Sequence, residues 1–142
     1  MIAFIILLIL NLIILSRVKE PQALAEVKEK YRILRKHLID TNNEKFHKLK
    51  QRVPISGFLQ MNDTVGYNTN KGQEIALCLD GSANEIFHVL IHELTHSSVE
   101  EYSHSKKFWD NYIELRDICV KLGIYEIIPE KVEFCGQHIQ DK

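Results

Sequence analysis

The chain has 142 residues, 45% of them hydrophobic and 26% charged, with a formal net charge of -1; that is the size of one domain, and too apolar for a disordered protein. Six glycines and three prolines exclude a collagen-like or linker-type sequence, and the near-neutral charge leaves no electrostatic footprint for nucleic acid. Cys78, Cys119 and Cys135 show no CxxC spacing, so neither a cysteine zinc site nor a disulfide-stapled mini-domain is expected; free thiols in a reducing compartment are.

From Met1 to Leu15 the only strongly polar residue is Asn11, and the run ends at Ser16 and Arg17. Residues 1–18 read as a short transmembrane anchor, with Arg17 and Lys19 able to snorkel to the headgroups. A cleaved signal peptide is the alternative, since Ala23-Leu24-Ala25 offers a cleavage-like site, but its positive charge should precede the apolar run and here it follows. Arg17, Lys19, Lys28, Lys30, Arg32, Arg35 and Lys36 all lie on the C-terminal side. The positive-inside rule then places residues 19–142, the remaining domain, in the cytosol or the interior of a virion.

Pro21 opens a helical pattern in which Leu24, Val27, Tyr31, Leu34 and Leu38 form one apolar stripe, ending near Asp40. Phe46–Leu49 and Ile55–Met61 read as strands, Asn62-Asp63 and Gly66–Gly72 as turns or loop, and Glu74–Leu79 as a strand. Ser82 and Glu85 make a capping box, predicting a helix from Ala83 to about Ser98. A further helix, from about His104 to Leu122, carries Phe108, Tyr112, Leu115 and Cys119 at helical spacing, with Gly123 as its stop. Residues 124–142 read as short extended pieces.

The chemistry concentrates in His92-Glu93-Leu94-Thr95-His96, an HExxH motif. On a helix, positions i and i+4 share a face, so His92 and His96 can aim at one metal ion. Zinc suits neutral imidazoles and, with three protein ligands, keeps a position open for water, whose pKa it lowers toward 7. Glu93, about 100° round the helix from His92, is placed to take that water's proton and deliver it to a leaving amine. His104, after the seven residues Ser97–Ser103, is the candidate third ligand; Glu100, Glu101 and Glu114 compete. His88, one turn before His92, reads as a packed or surface residue that could alternatively support the ligands. Tyr102 is one polar candidate for stabilising an oxyanion. Cys135 reads as a buried structural thiol, with a latent-state metal ligand as the alternative.

Val89–His96, followed by His104-Ser105-Lys106-Lys107-Phe108-Trp109, resembles the WLM-domain metalloproteases, relatives of the SprT-like proteases. Ile75–Leu79 and Phe134-Cys135-Gly136 add to the resemblance, which covers about residues 22–140. The connection from His96 to His104 is longer than the family usually has. The resemblance implies a zincin-like α+β fold, with a small sheet packed on the HExxH helix, one zinc ion and peptide-bond hydrolysis. The reading is therefore a membrane-anchored zinc metalloendopeptidase acting on protein or peptide. Its rivals are a catalytically silent zinc-binding scaffold and a phosphoester hydrolase, the latter disfavoured by the charge balance.

Overall fold

A computed structural model describes residues 1–60 and 62–142. In chain order it contains α1 (Ile2–Arg17), α2 (Gln22–Asp40), a 3-10 turn (His47–Lys50), β1 (Ile55–Phe58), β2 (Gly66–Thr69), β3 (Glu74–Cys78), α3 (Ala83–Ser98), α4 (Lys106–Lys121), β4 (Val132–Phe134) and β5 (Gln137–Ile139). The architecture is α+β. The three-stranded sheet has order β1-β3-β2, with β1 parallel and β2 antiparallel to β3. The last two strands form a separate antiparallel hairpin.

Each long helix buries the stripe its sequence predicts. In α2, Leu24, Val27, Tyr31, Leu34 and Leu38 are buried, and in α4 so are Phe108, Tyr112, Leu115 and Cys119. Helix α3 starts at the expected capping box, where Ser82 and Glu85 bond each other's backbone, and Ile86, Phe87, Leu90, Ile91 and Leu94 along it are fully buried. It packs against α2, α4, β2 and β3, which makes it the central element.

Three local expectations change. Residues 46–49 are not a strand: His47–Lys50 wind as a 3-10 turn that buries Leu49. Gly66–Thr69 is not loop but the edge strand β2, held by backbone pairing from Gly66↔Leu77 to Thr69↔Glu74; its half-exposed, polar sequence hides the pattern that marks a strand. The strand expected over Ile55–Met61 stops at Phe58, and Met61 lies outside the described residues.

The cysteine expectation is corrected too. Cys78, at the end of β3, and Cys135, in the β4–β5 turn, form a disulfide across 57 residues of sequence. Cys119 is free and buried. The fold brings together two thiols whose spacing gave no sign of pairing, and the bond also removes Cys135 as a latent-state metal ligand.

Helix α1 has no buried residue. At 16 residues it spans about 24 Å, short of the roughly 30 Å hydrocarbon core. Among the described residues no single helix is long and apolar enough to cross a membrane; α1 and α2, bent by 59°, meet the length and composition criterion only as a pair.

Candidate metal centre

The 3.6-residue period of α3 places His92 and His96 side by side, and the chain after α3 turns back to bring in His104. The Nε2 of His104 lies 3.1 Å from the Nε2 of His92 and 3.1 Å from that of His96. A neutral imidazole has one N–H, so the two contacts at His104 cannot both be satisfied by its own proton. Three lone-pair nitrogens at this spacing fit a cation instead: tetrahedral zinc with Zn–N of about 2.0–2.1 Å sets its nitrogens roughly 3.3 Å apart.

The rings sit on an aromatic bed. Phe108, fully buried at the first turn of α4, lies 5.1, 4.6 and 4.7 Å (ring centroids) from His92, His96 and His104. Trp109 flanks His92 at 6.2 Å and His104 at 5.7 Å. These two residues are the apolar backing of the three rings. Burial drives the His92 and His96 imidazoles toward the neutral, ligating form: desolvation first, then neighbouring histidines, lowers His92 to about 3, and desolvation, His104 and Lys71 lower His96 to about 4.

Glu93 is 8% exposed, and this desolvation raises its carboxyl to about 7. Asn68 of β2 fixes the backbone beneath it, its Nδ2 donating to Glu93 O at 2.8 Å and to Ser97 Oγ at 2.7 Å. A cleft of about 390 Å³ runs past the triad; Val65 and Gly66 form one side and Gln137–Gln140 another, with His88, His92, Glu93 and His104 along it.

The competing carboxylates lie elsewhere. Glu114 pairs with Lys45, Glu100 with Lys48, and Glu101 accepts from Ser105 Oγ at 2.6 Å. Among the described residues, His92, His96 and His104 are the group able to hold an ion. Tyr102 is 78% exposed, with its ring beneath the Lys71 ammonium at 4.5 Å.

His88 joins a buried polar cluster that sequence reasoning did not anticipate. Its Nδ1 is 2.9 Å from Tyr125 Oη and 3.2 Å from Tyr112 Oη. Tyr112 donates to Asp141 Oδ1 at 2.5 Å, Tyr125 donates to Oδ2, and the Ile128 N–H donates to Oδ2 at 2.8 Å. With both hydroxyl protons committed to Asp141, the tyrosine oxygens are left as acceptors, and His88 carries its proton on Nδ1. Burial alone would raise the Asp141 carboxyl, but His88, both tyrosines and the Ile128 N–H outweigh it and hold the group well below the usual carboxylate range. No short-range sequence signal links residues so far apart.

The WLM domain family matches residues 29–141. None of the curated proteins matches the chain. Among solved structures it is similar to the crystal structure of the metallopeptidase zymogen of Pyrococcus abyssi abylysin, with 21% sequence identity, 75% of this chain and 100% of that one covered, and a TM-score of 0.43. The family match spans most of the sequence and takes in the HExxH helix, His104 and the aromatic pair behind them: the chain belongs to the WLM domain family, and its function is of the metallopeptidase type at the level of that family.

Proposed function

We propose that the chain is a zinc-dependent endopeptidase in which His92, His96 and His104 hold the metal and Glu93 is the general base, then acid. The observation that carries this reading is the convergence of three imidazole Nε2 atoms, 3.1 Å apart at His104, on the cleft that Glu93 lines. When bound, zinc supplies a Lewis acid for the scissile carbonyl and lowers the pKa of water toward neutrality. Glu93 Oε takes a proton from the attacking water and passes it to the departing amine, two transfers open to a carboxyl group placed beside the reacting atoms. Phe108 and Trp109 pack against the ligand rings from one side. Substrates are peptides or proteins, lying along the cleft between the β2 side and Gln137–Gln140.

The membrane anchor is part of the same proposal. The apolar side chains of α1 are covered by nothing in the domain, and a bilayer would cover them. The basic residues after α1 favour a cytosolic domain, whereas the Cys78–Cys135 bond favours an oxidising compartment. Acid-quenching of intact cells, then alkylation under denaturing conditions with a gel-shift reagent, decides: one labelled cysteine places the domain on the oxidising side, three labelled cysteines on the cytosolic side.

Glu93→Gln is the discriminating variant. Full-length protein in detergent should keep its stoichiometric zinc and lose peptidase activity by about 10²- to 10⁴-fold, the range for general acid–base catalysis. Unchanged proteolysis in that variant would remove Glu93 from the mechanism. Wild-type protein that holds zinc but cleaves no peptide mixture would favour the scaffold.

A further inference from the structure

The chain between His96 and His104 has to stop a helix and come back, yet Ser97–Ser103 contains neither glycine nor asparagine for a left-handed cap. The residue that ends α3, Val99, is simply extended, at φ -123 and ψ 155. The last carbonyls of any helix lack intrahelical donors and need partners from elsewhere. Here the partners come from a different part of the fold. Lys71 Nζ donates to His96 O at 3.0 Å, to Val99 O at 2.7 Å and to Glu101 O at 2.7 Å, which uses all three ammonium protons.

Lys71 is held for this task. It sits at the tip of the β2–β3 hairpin with φ +52, after Asn70 at φ +46, in the left-handed region that favours glycine over lysine. Gly72 N donates back to Asn68 Oδ1 at 2.7 Å, and the same Asn68 grips Glu93 O and Ser97 Oγ. The hairpin thus holds α3 under the HExxH residues and again where the helix ends. Tyr102 covers the ammonium from the solvent side. Charge-assisted bonds of this kind are stronger than neutral ones, and the connection they brace is the one that carries His104 back to α3.

We propose that Lys71 is a positioning residue for the metal centre. By tying the carbonyls of residues 96, 99 and 101 to one ammonium, it sets where α3 stops and the angle at which the chain returns, and so holds the His104 imidazole against His92 and His96. This inference rests on the reading of His104 as a ligand.

The test uses the full-length chain in detergent, with zinc affinity read by competition against a chromogenic chelator and ligand geometry read from the cobalt(II) absorption spectrum. Lys71→Met should bind zinc about 10- to 100-fold more weakly, the range for loss of a ligand's supporting partner, and should alter the cobalt spectrum. Lys71→Arg, which keeps cationic donors, should recover most of the affinity. If Lys71→Met does not fold, Lys71→Gln, with two donors and no charge, carries the same comparison. Val27→Ala, in the α2 core away from the centre, controls for general destabilisation. Wild-type zinc affinity in Lys71→Met, or in Lys71→Gln where that variant replaces it, overturns the role, as does a loss no larger than that of a Val27→Ala protein of equal melting temperature. His104→Ala separates the two levels. If it loses zinc while Lys71→Met does not, only the positioning role falls; if it binds zinc like wild type, the ligand assignment falls and the positioning role with it.

Discussion

Glu93, His92 and His96 are displaced from their ordinary titration by the same cause, burial, but with opposite consequences for stability. In the metal-free protein Glu93 keeps its proton up to about 7, while the unfolded carboxyl loses it near the ordinary glutamate value of 4.5. The native state therefore binds more protons in that interval, and stability falls as pH rises from 4.5 to 7, by about 3 kcal/mol in total. His92 and His96, lowered to about 3 and about 4, contribute stability that is present above the unfolded value of 6.5 and lost as pH falls below it. Urea titrations of metal-free Glu93→Gln should accordingly match wild type near pH 5 and exceed it by up to about 3 kcal/mol at pH 8. Parallel stability curves for the two proteins would contradict the burial argument. Added zinc should narrow the gap, because a nearby dication favours the ionised carboxylate.

At the scale of elements, the site depends on how closely β2 approaches α3. A Cβ built on Gly66 would lie 2.7 Å from Val89 Cγ1 and 3.1 Å from the Ala76 carbonyl oxygen, distances that a β-branched side chain and a paired strand do not easily relax. At Gly66 the absence of a side chain sets the separation between the edge strand β2 and the HExxH helix α3. Gly66→Ala should cost about 1–3 kcal/mol, the range for overpacking a filled site, measured by urea unfolding. Because Gly66 also borders the cleft, the same variant should cleave peptides more slowly; wild-type stability would mean β2 shifts without strain.

For the molecule as a whole, the Cys78–Cys135 bond joins the central strand to the hairpin that borders the cleft. Closing a loop across 57 residues stabilises by about 4 kcal/mol in the chain-entropy account, an upper value for measured cases. The Cys78→Ser, Cys135→Ser double variant should lose about 2–4 kcal/mol in urea unfolding, and wild type treated with reductant should lose the same amount. No difference between oxidised and reduced protein would show that the hairpin is held by packing of Phe134 and Ile139 alone, both of which are buried.

Much was legible in the residues themselves. The stripe Leu24, Val27, Tyr31, Leu34, Leu38 and the Ser82–Glu85 capping box specify α2 and α3 almost to the residue, and HExxH declares its two imidazoles, because helical period and caps are local properties written in consecutive side chains. What escaped was non-local or polar. Strand β2 read as loop because its pairing energy belongs to β3; the Cys78–Cys135 bond, the Asp141 cluster and the Lys71 clasp join residues from 13 to 57 positions apart, and only packing decides which distant groups meet. The amino-acid sequence alone therefore determined that this chain carries a histidine-rich helix of the WLM domain family behind an apolar segment. The tertiary structure decided that the His104 imidazole, and not the Glu114 carboxylate, lies beside His92 and His96, because the direction in which a chain returns after a helix depends on packing against elements distant in sequence.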